Sequence, residues 1–197
     1  IVSFAALAII LVIAVLISYL VVRKNNFANN AIDTVSMMPY IMPGAVIGIS
    51  LVIAFSRKPF SMTGTLAIMI IALAIRRMPF TSRSATAAMM KIPISVEEAA
   101  LSLGAPKVSA FTKITIPMMS SGILSGAILS FVSIITEMSS GVILYNNSTI
   151  TLTVGTYTCI TSGIYGVAAV FATVTTVFTV ICLIVYLKIS KSEDMAL

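Results

Sequence analysis

The residues that could do chemistry in this chain are few, and most of them crowd into one stretch, Ser95-Val96-Glu97-Glu98-Ala99-Ala100-Leu101-Ser102-Leu103-Gly104-Ala105-Pro106. There is no histidine, and Cys159 and Cys182 stand apart with no CxxC pair. That excludes a metal site built from His and Cys, and both thiols read as small apolar packing groups. No glycine loop of the GxxxxGK[ST] type occurs, so the chain has no phosphate cradle of that kind for ATP. No catalytic residue, metal ligand or bound cofactor is expected, which leaves Glu97 and Glu98 hydrogen bonding and ion pairing.

Ser95 and Glu98 have the spacing of a capping box, in which the serine accepts from the Glu98 amide and the carboxylate reaches back. Gly104 supplies a left-handed helix end, and Pro106 bars continuation. The spacing predicts a short helix over 96–103 with Val96, Ala99, Ala100 and Leu103 on one apolar face. A second short helix is expected after Pro106, with Val108 and Phe111 turned inward and Pro117 opening the next long segment. A two-turn helix is marginal alone in water, so it must dock on its own chain or on another.

The elements around this island belong to lipid. With 59% hydrophobic residues, 9% charged residues and a mean hydropathy of +1.12, the 197-residue chain lies far from soluble composition. Five segments are expected to span a bilayer, at 1–22, 37–56, 60–75, 116–136 and 166–187, within one domain over 1–197. The first is apolar from Ile1, and its charges, Arg23 and Lys24, follow the run, unlike those of a signal peptide. The third reaches spanning length with Arg76 and Arg77 snorkelling at its end. The chain opens without an initiator methionine, and we expect it to be a fragment or one half of a longer protein.

Charge placement sets the expected topology. Five spans put ten basic residues on one side: Arg23, Lys24, Arg76, Arg77, Arg83, Lys91, Lys107, Lys113, Lys188 and Lys191. Only two, Arg57 and Lys58, fall on the other. By the positive-inside rule the N-terminus lies outside, and the loop 76–115 and the C-terminus are cytoplasmic. The net charge of +6 then needs no nucleic acid to explain it. Segment 137–165, rich in Thr, Ser and Gly, is expected outside as a re-entrant or surface-lying element.

Glu98-Ala99-Ala100, three residues, Gly104, nine residues and Ile114-Thr115-Ile116-Pro117 together resemble the EAA loop of permease subunits of bacterial ABC importers, with Ile116 where leucine is usual. The resemblance covers nearly the whole chain. It implies an all-α, five-transmembrane-helix permease core of the MetI-like kind in the bacterial inner membrane, with a cytoplasmic coupling helix seated on an ATPase subunit. Glu97, Glu98, Ala99, Ala100, Leu103 and Gly104 would form that coupling site. Glu98 would pair with a basic residue of the ATPase while still helping to cap, the alanines would allow close approach, and Gly104 would set the turn. A second permease half and an external substrate-binding protein are the other implied partners. ATP would be used by the ATPase alone.

The spans add a possible route. Gly44 and Gly48, and Gly122 and Gly126, have the GxxxG spacing of close helix packing. Gly122, Gly126, Ser130, Ser133 and Glu137 form one small and polar stripe, and Glu137 is the only acid in or beside a span. The stripe is expected to line a translocation path with Glu137 near its outer mouth; the other reading is helix packing, with Glu137 a solvated end. Ala168, Ala172, Thr175, Thr179 and Cys182 offer a comparable face on the last span. The PYIMPG, RRMPFTSRS and TEMSSGVILY runs look like ferric-iron importer permeases, a branch close to thiamine and phosphonate permeases. In that branch one polypeptide often carries two such halves, of which this chain matches the second. An ion-coupled secondary transporter would carry ionisable residues near mid-membrane, where these expected spans have none.

Overall fold

The computed structural model describes residues 1–24, 26–59 and 61–194, with side chains to residue 188. Regular structure among them is helical throughout. Helix α1 (Val2–Arg23) is mostly apolar and carries no charge until its last residue. Without water in a bilayer core, such a run meets its backbone hydrogen bonds within itself. Its end is closed by Asn29 of α2 (Phe27–Ile41), whose amide nitrogen donates to the Leu20 carbonyl at 3.1 Å.

The chain then breaks. Pro43 has no N–H, and Met42 before it takes an extended ψ of 137°, so α3 (Gly44–Ala54) leaves α2 at 108°. The expected second span, 37–56, is therefore two pieces of helix.

Helix α4 (Leu66–Met90) starts where the Thr65 hydroxyl accepts from the Ile68 amide at 3.4 Å. This corrects the third span. The helix does not end at Arg76 and Arg77 but runs past them for almost four more turns, because small residues such as Ala85 and Ser82 bury that stretch. The expected loop 76–115 shrinks to 91–115. Phe60, the expected start of the span, and the side chain of Lys191 lie outside the described residues.

Next come α5 (Ile94–Ser102), α6 (Lys107–Ala110), a single π turn over Phe111–Thr115, and α7 (Ile116–Met118). The piece Lys107–Met118 meets α8 (Ser120–Ile135) at 67°, so the expected fourth span, 116–136, is kinked at Met119. After the short α9 (Gly141–Leu144), helix α10 (Leu152–Thr161) folds back on α11 (Tyr165–Asp194) through a turn at Gly163.

Packing gives directions. Ala6 and Ile10 near the start of α1 meet Ile68, Met69, Ala72 and Leu73 near the start of α4. Tyr19 and Val22 at its end meet Ala85 and Met89 near the end of α4. The two helices are parallel, so the bent α2–α3 pair must carry the chain back across the bundle. Helix α8 runs against α4: Gly122 abuts Ala88, and Gly126 abuts Ser84 and Thr81. Phe131 of α8 lies between Phe4 of α1 and Phe178 of α11, with ring centroids 4.9 and 6.1 Å away.

By length and composition α1 and Tyr165–Lys188 can each cross a bilayer, and each bent pair can as one span. Helix α4, at about 37 Å, is long enough, but Arg76, Arg77 and Arg83 interrupt its apolar course.

The α4–α8 seam is tight enough to test. A Cβ on Gly126 would fall 2.8 Å from both Ser84 Cβ and Thr81 Cα, whereas one on Gly166 would meet nothing within 4 Å. Gly126→Ala should destabilise the protein by about 1–3 kcal/mol and Gly166→Ala should not, as read by thermal unfolding in detergent micelles.

Candidate functional site

Helix α5 lies at the end of the bundle where α1 and α4 both finish. Pro93 occupies its N-cap position with φ −61° and ψ 142°, and no side chain caps it. Ser95 is thereby drawn into the first turn, and the expected capping box with Glu98 does not form. The observed helix, Ile94–Ser102, begins two residues before the expected one and ends one residue before it. Its end follows the expectation for Gly104, which sits at φ +87°. The Gly104 amide donates to Leu101 O at 2.9 Å and the Ala105 amide to Ala100 O at 3.0 Å. These are the two bonds of a Schellman ending.

The structure divides the expected coupling residues between two faces. Ala100 is buried and Val96 half-buried, while Glu98, Ala99 and Leu103 are exposed, Leu103 by 89%. The apolar face foreseen over Val96, Ala99, Ala100 and Leu103 is not one surface. Glu97 points inward and is held by its own chain: its carboxylate accepts from Arg23 Nε at 2.9 Å, Thr115 Oγ1 at 3.1 Å and the Tyr19 hydroxyl at 3.4 Å. Phe111 stacks edge-on against Tyr19 with centroids 4.7 Å apart, as its inward placement requires. Val108, also expected inward, is 73% exposed. The side chains left exposed on α5 are Ile94, Ser95, Glu98, Ala99, Leu101 and Ser102, with Leu103 at its C-cap.

The second polar cluster lies along the α4–α8 seam. Ser130 donates to the Arg77 carbonyl at 2.9 Å and shares a 2.7 Å hydrogen bond with Thr81 Oγ1. Ser84 Oγ donates to the Gly122 carbonyl at 2.6 Å. Above them the Glu137 carboxylate is gripped by Arg76 through one oxygen and Arg77 through the other. The Ser140 amide and hydroxyl also donate to it, each at 3.2 Å. The Glu137 side chain is 2% exposed, so it is not a solvated end. Arg76 also lies over Gly44, where a Cβ would come within 2.8 Å of the guanidinium carbon.

The stripe expected to line a path is thus a packing seam. Gly122, Gly126 and Ser130 are closed against α4, Ser133 is half-buried, and open space adjoins the Glu137 end. There a cavity of about 290 Å³ has Phe4, Met69, Phe131, Glu137 and Phe178 among its lining residues. On α11, Ala168 is buried, Thr175, Thr179 and Cys182 are half-buried, and Ala172 is exposed. Among the described residues no group of three or more His, Cys, Asp or Glu side chains could hold a metal ion.

Sequence reasoning missed Arg23 and Tyr19 as partners of Glu97, and Arg76 and Arg77 as partners of Glu137. The second pairing had a signal. An isolated acid and an arginine pair in apolar surroundings each need an opposite charge.

Residues 6–192 match the protein family described as the binding-protein-dependent transport system inner membrane component. The chain belongs to this family. Among relatives of this permease, the ferric transport system permease protein FbpB of Actinobacillus pleuropneumoniae is 29% identical over 159 residues, 81% of the permease chain but 23% of FbpB. The molybdenum transport system permease protein ModB of Haemophilus influenzae is 25% identical over 146 residues, 68% of the chain and 64% of ModB. The chain therefore spans under a quarter of FbpB. Solved structures share its fold. A chain of a bacterial alginate ABC transporter, in complex with a pentasaccharide-bound periplasmic protein, superposes with TM-score 0.67 at 18% identity, covering 95% of the permease and 73% of that chain. A chain of the inward-facing MetNI methionine ABC transporter gives 0.63 at 14% identity, covering 96% and 93%. The fold is the all-helical, MetI-like permease core, and the permease is an apolar multi-pass membrane protein.

The charged seam makes an ordered prediction. Glu137→Gln leaves two buried guanidinium groups without a counter-charge and should cost about 3–5 kcal/mol. Arg77→Gln leaves a neutral Arg76–Glu137 pair and should cost less. Thermal unfolding of the two variants in nanodiscs reads the order directly.

Proposed function

We propose that this permease is the membrane half of an ATP-driven importer, and that α5 is the helix by which a separate ATPase subunit drives it. The observation that carries this reading is a short helix with a Schellman ending, seated at one end of the bundle, with Glu98, Ala99 and Leu103 facing away from its own chain. The permease supplies the route; ATP hydrolysis belongs to the ATPase. A second permease half or subunit completes the route, and an external binding protein delivers the cargo. A periplasmic protein on the alginate transporter of the same fold supports that last partner.

Charge supports the orientation. With α4 running to Met90, Arg76, Arg77 and Arg83 leave the loop, yet Arg23, Lys24, Lys91, Lys107, Lys113 and Lys188 still stand toward the α5 end. Only Arg57 and Lys58 stand at the other. The α5 end and the C-terminus are cytoplasmic by the positive-inside rule, and the first residue of α1 is external.

The cargo we assign is ferric iron, on the likeness to FbpB and on the runs that resemble ferric-iron permeases. Similarity to ModB makes molybdate the competing cargo. Cells carrying the complete transporter should take up labelled ferric iron only when the ATPase is present. Uptake of molybdate instead would overturn the cargo, and uptake without the ATPase would overturn the machine.

Two substitutions test the coupling face. Glu98→Lys reverses an exposed charge and should lower uptake by at least about tenfold while the permease still accumulates in the membrane. Gly104→Pro removes the amide that donates to Leu101 and cannot adopt φ +87°, so it should also uncouple ATP hydrolysis from uptake. Normal substrate-stimulated ATPase activity with normal uptake in both variants would count against α5 as the driven helix.

A further inference from the structure

We infer that Glu97 is the joint through which movement of α5 reaches α1, a positioning role that rests on the reading of α5 as the ATPase-driven helix. Glu97 and Glu98 are neighbours in sequence and opposites in space. Glu98 faces outward, whereas the Glu97 side chain is 13% exposed and its Arg23 partner 10%. One carboxylate oxygen accepts from Arg23 Nε and Thr115 Oγ1, and the other accepts from the Tyr19 hydroxyl. Arg23 also donates from its second nitrogen to the carbonyl of Ile92 at 3.0 Å, just ahead of α5.

Four places in the chain thus converge on one ion pair: the last turn of α1, the turn between α4 and α5, α5 itself, and the π turn leading to α8. The covalent connections of α5 run to α4 and α6, so α1 is reached only through space. Among the described residues, the Arg23–Glu97 ion pair and the hydrogen bond that the Tyr19 hydroxyl donates to Glu97 are the polar links between α5 and α1. Separating a largely buried pair leaves each charge uncompensated in a poor solvent. The inner end of α1 therefore follows α5 when α5 is displaced. Without the pair, α5 can slide while α1 stays where lipid and α4 hold it.

The test follows movement at both ends of the joint in the assembled transporter with its ATPase, and it needs no knowledge of the cargo. In a C159S/C182S background, single thiols are placed at exposed positions by L103C at the C-cap of α5 and by K24C just after α1. Labelling by a membrane-impermeant maleimide in inside-out vesicles is compared without nucleotide and with Mg-ATP and vanadate. Both thiols should change rate by about threefold or more between the two states. Adding Glu97→Gln should preserve the change at L103C and abolish it at K24C, and the reversed pair Arg23→Glu with Glu97→Arg should restore it.

A full K24C response in Glu97→Gln would overturn the joint. Loss of both responses with the ATPase still bound would also overturn it, since Glu97 would then merely hold α5 in shape. No response at L103C in the parent would instead sink the reading of α5 as the driven helix. Should Glu97→Gln fail to accumulate, Tyr19→Phe with Thr115→Val keeps the ion pair and removes two of its donors. That variant should weaken the K24C response by about half, and an unchanged response there overturns the joint.

Discussion

A charge buried among helices has little water to turn to, and the arrangement of α4 against α8 follows from how Arg76, Arg77 and Glu137 answer one another. A lone carboxylate buried there would be costly, and so would either guanidinium. Sharing Glu137 between two arginines fixes the register of the helices to within a residue. The rest of the seam then has to suit that register: glycines where backbones approach at 122 and 126, and hydroxyls where Thr81 and Ser130 meet. The start of α3 feels the same constraint, because a Cβ at position 44 would crowd the Arg76 guanidinium and Ser139.

A second answered charge holds the end of the bundle where α1 and α4 finish. Glu97 and Arg23 do for α5 and α1 what the upper cluster does for α4 and α8. The two clusters differ in composition. The upper one has more positive groups than negative and is also braced by Ser140; the lower one is a single pair ringed by hydroxyls. One ties together the bundle itself. The other ties the bundle to a helix that keeps a free outer face.

Much of this was legible in the residues. The apolar runs at α1 and α11 announced their helices, and Gly104 announced its turn because only a residue free of Cβ strain takes that φ readily. The seam glycines were visible from their spacing. Other features were not, for identifiable reasons. The end of α4 was misplaced because arginines read as a boundary when their counter-charge lies some sixty residues away. Ser95 looked like a cap until Pro93, two residues earlier, took the position first. Adjacent glutamates could not be sorted into inner and outer from local pattern, since the distinction depends on where α1 ends.

Helix α11 packs within this chain along one edge alone, against α10 and α8. Only 6% of its spanning window is buried, and its outer side is a continuous display of Val, Ile, Leu and Phe. A side chain that touches hydrocarbon is asked to be oily, not to have a particular shape. Branched and unbranched aliphatics should be freely interchangeable along that side over evolutionary time. The opposite edge, Ala168, Thr175 and Thr179, meets protein, and there the vocabulary narrows to what fits.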